Sequence, residues 1–136
     1  MRLPILFLCL LAASVAEAAD EFVVIVNKAN NQAIDQSWVA KVYLGEVKSW
    51  VGGNPIVAYD LPEDSPVRTS FSKTFLNRSI ANMKVLWAQF TFSGKAVPPR
   101  QLASDEEIKK AVAANKNAMG YVSAASVDDS VRVAAR

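Results

Sequence analysis

A hydroxyl and a guanidinium stand three residues apart in this sequence, on what reads as the opening turn of one helix. Ser65 can cap a helix whose first residue is Pro66, the favoured place for proline. Arg68 then falls in the same turn, and Thr69 and Ser70 add hydroxyls beside it. The free N–H groups and dipole of a helix start favour an anion. An arginine can hold two oxygens of one oxyanion at once. Asp60, Glu63 and Asp64 crowd the same place. One carboxylate can accept a proton from a partly protonated oxyanion, but three mostly repel it. The residues alone leave two readings open. Ser65, Arg68, Thr69 and Asp60 form a seat for an oxyanion, or Ser65 is a plain N-cap and Asp64 an acid serving the helix dipole.

Other chemistries are narrowed by what is missing. The chain has no His, and its single Cys is Cys9. Beyond Cys9 this excludes a disulfide framework, a zinc site of the usual Cys/His kind and any catalytic unit built on His or Cys. Asp105, Glu106 and Glu107 look like a carboxylate cluster. They follow Ser104 as a capping box, however, where acids are expected at a helix start. Neither an enzyme nor a bound cofactor or metal is expected. Trp50, in the glycine-rich stretch KSWVGGN, is the tryptophan expected at the surface. Trp38 and Trp87 lie on apolar helical stripes and are expected in the core.

The elements that must position these residues follow from the hydrophobic pattern. Phe22 to Val26 is a continuous β-branched run and reads as a buried strand. A helix starts at Ser37 and stops at Gly45. Ile56 to Tyr59 reads as a second strand. The helix opening at Pro66 buries Val67, Phe71 and Phe75, and a further helical stripe carries Ile80, Met83, Trp87 and Phe90. Residues 93–102 contain Gly94 and Pro98-Pro99 and read as a loop. A helix from Ser104 to about Asn115, a strand at Tyr121 to Ser123 and an edge strand at Ser130 to Ala134 complete an α/β domain.

The N-terminus predicts export. Arg2 precedes an apolar run, Leu3 to Ala13, too short to span a bilayer, and Ala16-Glu17-Ala18 suits a signal peptidase. Residues 1–18 are therefore expected to be a signal peptide cut before Ala19. Residues 19–136 then form one domain, located in the periplasm. Loss of Arg2 and Glu17 leaves the net charge at the +2 of the whole chain. The basic residues are scattered among acids, which speaks against nucleic acid. No later run is long enough for a membrane span.

Taken in order, FVVIVN, YLGEVKSW with Gly52-Gly53, IVAYD, DSPVRTSFSKTFL, WAQFTFSGKAVPP and AMGYV resemble the solute-binding proteins of phosphate ABC transporters. The resemblance runs from about Phe22 to Val133. It implies a type II periplasmic-binding-protein-like fold, of which this chain matches one lobe, a small mixed sheet covered by helices. It also implies a binding role, with phosphate or a similar oxyanion as ligand. A transporter subunit, a second lobe or a second copy of the chain is the implied partner. By position Ser65 and Arg68 match the Ser and Arg of the family's S-G-T-R motif. The motif's Gly is here Pro66 and its Thr is Val67. An Arg often found some four residues before the Ser is replaced by Leu61. The alternative expectation is a single-lobe interaction or accessory module that has lost anion binding. In that case Arg68 pairs with Asp60 or Asp64 and fills the seat.

Overall fold

The structure is a computed structural model that describes residues 21–136. The expected signal peptide and its cut before Ala19 lie outside the described residues.

Five strands form one mixed sheet in the order β3-β2-β4-β1-β5. They are β1 (Phe22–Val26), β2 (Val57–Asp60), β3 (Arg100–Gln101), β4 (Ala118–Ser123) and β5 (Arg132–Ala135). β1 runs antiparallel to both β4 and β5, while β2 runs parallel to β4 and β3. The helices are α1 (Gln36–Tyr43), α2 (Pro66–Phe71), α3 (Ile80–Ser93) and α4 (Asp105–Ala114). A π-helical turn, Ser72–Leu76, continues α2. No helix of the described residues is long and apolar enough to cross a membrane.

The unbroken apolar run of β1 has a direct cause: both faces of the sheet are covered. In the β1–β4 register, Val24 lies opposite Tyr121 and Ile25 opposite Gly120. Strand side chains alternate between faces, so these two pairs point opposite ways. On the Tyr121 face, Phe71 of α2 stacks on the Tyr121 ring at 4.0 Å between centroids, and Tyr43 of α1 meets both rings edge-on. On the other face α4 sits so close that a Cβ on Gly120 would lie 2.6 Å from Ile108. Only glycine leaves room for that contact.

The helix signals read from the sequence are present. Ser65 Oγ accepts the Arg68 N–H, Ser104 Oγ accepts the Glu107 N–H, and Gly45, just past α1, has φ +77°. The Glu107 carboxylate accepts from the N–H of Ala103, one residue before the cap.

Several expectations are corrected. Trp50 is buried, at 4% exposure. Its ring stacks on Trp38 and its Nε1–H donates to the Asn117 carbonyl, so the glycine-rich loop folds back over the core. Trp38 and Trp87, expected in the core, are only half-buried. The stripe on α3 is only partly covered: Met83 is buried, while Ile80, Trp87 and Phe90 are half-buried. The expected loop 93–102 holds the two-residue strand β3, which pairs with Tyr59 and Asp60. The edge strand is shifted to Arg132–Ala135.

Candidate functional site

β2 ends at Asp60, and the loop Leu61–Asp64 carries the chain to the Ser65 cap. This loop and the first turn of α2 bring all four candidate residues into one corner of the domain, but not facing one cavity.

Arg68 is 8% exposed. Its side chain turns back beneath the loop. Nη1 donates to the Leu61 carbonyl at 2.9 Å, and Nε lies 3.4 Å from Asp60 Oδ1. Asp60 receives more: the Leu61 N–H donates to the same oxygen at 3.0 Å, and the Tyr121 hydroxyl makes a short hydrogen bond to it. Tyr43 closes the far side, with its hydroxyl donating to the Tyr59 carbonyl at 2.7 Å. The space left beside Asp60 and Arg68, bounded by Tyr43, Phe71 and Trp87, is about 10 Å³. That approaches the volume one water needs and is far too small for a tetrahedral oxyanion.

The remaining candidates are engaged locally. Ser65 Oγ is spent on the cap, and the Thr69 hydroxyl donates to the Ser65 carbonyl from an exposed position. Pro66 has no N–H to give. Glu63 lies 3.3 Å from Lys84, and both are largely exposed. Such a pair contributes little.

Burial raises the Asp60 pKa; Arg68, the Tyr121 hydroxyl and the Leu61 N–H pull it back. The Tyr121 hydroxyl is pushed well above its ordinary range, first by burial and then by the Asp60 charge. Tyr43 is raised by the same two causes. Both phenols therefore stay protonated and act as donors. No group of three or more His, Cys, Asp or Glu among the described residues could hold a metal.

Tyr121 and the Leu61 carbonyl were not legible as partners in the sequence. Tyr121 is 61 residues from Asp60, and only the parallel pairing of β2 with β4 brings them together. The one local signal was the Asp60–Arg68 spacing across the loop.

Residues 13–135 match the profile of the PBP superfamily domain, and the chain belongs to that family. Among solved structures, the fold is similar to that of an ABC-type phosphate transport receptor from Vibrio cholerae. The TM-score is 0.64 and the identity 24%, over 83% of this chain and 44% of the receptor. It is also similar to a protein from Clostridium perfringens assigned as a phosphate ABC transporter substrate-binding protein and solved with bound phosphate. There the TM-score is 0.62 and the identity 26%, over 83% of this chain and 43% of that one. PstS from Borrelia burgdorferi shares the fold at a TM-score of 0.56 and 16% identity, over 75% of this chain and 40% of its own. The chain thus spans less than half the length of these solved relatives. A search of curated proteins finds no match.

Proposed function

We propose that this member of the PBP superfamily is an exported, non-enzymatic accessory module of the phosphate-receptor class. It acts in the periplasm by meeting a protein partner rather than by holding an oxyanion at Ser65 and Arg68. The observation that carries this reading is the Arg68 side chain, buried and paired with Asp60 and the Leu61 carbonyl. An incoming anion must displace Asp60 from the Arg68 guanidinium. That leaves a buried carboxylate unpaired, at a cost of about 3–5 kcal/mol. A solvent-open seat on one lobe would hold phosphate with a millimolar constant, or about 4 kcal/mol. The two terms cancel, and the internal carboxylate keeps the arginine.

A second reading has its own support: the Clostridium perfringens relative carries bound phosphate. On that reading Ser65, Arg68, Thr69 and Asp60 take up the anion once a second lobe, a second copy or a transporter subunit covers the corner. Calorimetric titration of residues 19–136 with phosphate and sulfate separates the two. The accessory reading expects no saturable heat with either anion. Saturable phosphate binding with a micromolar constant would replace it with the second reading. Recovery of the envelope protein starting at Met1 instead of Ala19 would overturn the export part.

A further inference from the structure

A groove of about 610 Å³ lies between the turn after α1 and the loop Lys95–Arg100, beside the start of β2. Its apolar lining includes Val42, Ile56, Ala58 and Trp87. Lys48, Lys95 and Arg100 also line it, and no carboxylate does. None of these three cations takes part in an ion pair among the described residues. Lys48 instead donates to the Lys95 carbonyl at 2.6 Å, and the Lys95 ammonium stands 4.5 Å from the centre of the Phe90 ring. Val97 of the lining is 85% exposed, and Phe92, next in the chain to the lining residue Thr91, is 96% exposed. Phe92 and Val85 both lie on α3, and Val85 is exposed as well.

We propose that this groove, together with Phe92 and Val97, docks an apolar segment of a partner protein that carries carboxylates at its flanks. The inference rests on the reading that the chain works through a protein partner, and it names the surface and the chemistry of that partner. Charge selects the occupant. Three cations and no carboxylate line an apolar cleft, so an occupant that brings carboxylates is favoured, and complementary charge of this kind governs which partners are accepted. A second copy of the chain fits poorly, because a two-fold interface sets each surface against itself and brings cations against cations. A bilayer surface is flat and leaves the groove unfilled. A small amphiphile fills the groove, Val97 included, but leaves Phe92 in water, while a protein segment can extend over Phe92 as well.

The probe is a short fluorescein-labelled peptide of leucine and phenylalanine with aspartates at both ends, followed by anisotropy on residues 19–136. A peptide with lysines in place of the aspartates serves as its counterpart. The aspartate peptide is expected to bind, the lysine peptide to stay free, and added salt to weaken the complex. Lys95→Glu with Arg100→Glu changes exposed side chains only and should weaken binding about tenfold or more. Lys110→Glu, exposed on α4 and outside the groove lining, should leave it unchanged. Equal affinity for the two peptides, no binding of either, or unchanged affinity in the double variant would overturn the proposal. So would a stable homodimer that masks the groove, or preference for phosphatidylglycerol vesicles over the peptide. Phosphate titration of the same samples keeps the two readings apart. Saturable phosphate binding counts against the accessory function. Silent peptides together with silent phosphate count against the groove alone.

Discussion

The corner at Asp60 and the groove beside Lys95 both place cations next to aromatic rings, yet they are built oppositely. In the corner one guanidinium meets one largely buried carboxylate and a carbonyl, the carboxylate also accepts from a tyrosine hydroxyl, and about 10 Å³ is left over. At the groove three cations share about 610 Å³ of mostly apolar space without a carboxylate among the lining residues. A cation with its counter-charge inside the same chain belongs to the fold. Exposed cations that lack one are held by water and, on the proposal above, are open to a partner's carboxylates. The family motif directs attention to the corner, whereas the charge pattern directs it to the groove.

The largest expected effect breaks the sealed side. Arg68→Ala leaves the Asp60 carboxylate buried without its cation and should cost about 3–5 kcal/mol in urea unfolding. Asp60→Asn placed together with Arg68→Met should recover much of that loss, because no charge then remains buried while the Tyr121 donor keeps an acceptor. A loss below about 1 kcal/mol for Arg68→Ala would mean that the corner is open and wet, and the contrast with the groove would disappear.

A smaller effect sharpens the same side through pH. The folded corner raises the Asp60 pKa above its ordinary 3.8, chiefly by burial. The folded state therefore holds this proton more tightly than the unfolded state. Its contribution to stability grows as pH falls from neutral through the raised value, and levels off below the ordinary one. Asp128 runs the other way. Hydrogen bonds from Ser130 and Lys109 hold its carboxyl below the usual range, so its contribution is lost on acidification. Comparing wild type with Asp60→Asn isolates the first term. The melting temperature of wild type should rise relative to Asp60→Asn between pH 7 and about pH 4. A constant gap would contradict the desolvated carboxylate.

The smallest effect belongs to the open side. Phe92→Ser removes a ring already in water, so the unfolding free energy should change by no more than about 0.5 kcal/mol. A loss several times larger would show that Phe92 packs against the domain, and would remove it from the docking surface.

The sequence made the local features legible and hid the long-range ones. The β1 run, the Ser65 cap with Pro66 after it, the Ser104 box and Gly45 all depend on near neighbours, and all are present. Trp50 was misplaced because glycines in its loop suggest exposure. Its burial depends on Asn117, 67 residues away. α3 shows the opposite limit. Its apolar stripe is partly covered, yet Val85 and Phe92, off the stripe, stand exposed, and periodicity does not tell how much of an apolar helix this chain covers. At the corner, Ser65, Arg68 and Asp60 were found by residue type. Whether Arg68 faces solvent or Asp60 depended on where β4 sets Tyr121 against the end of β2.

The central claim is that Arg68 is held inside the domain and is not offered to an anion. Nitrogen-15 NMR of the Arg68 Nε–H group tests it most directly. The account predicts a single sharp signal, slow to exchange with solvent and unmoved by phosphate at about millimolar concentration, the range where an open single-lobe site would saturate. A fast-exchanging signal that shifts in proportion to bound phosphate would contradict it, and would place the oxyanion in the corner after all.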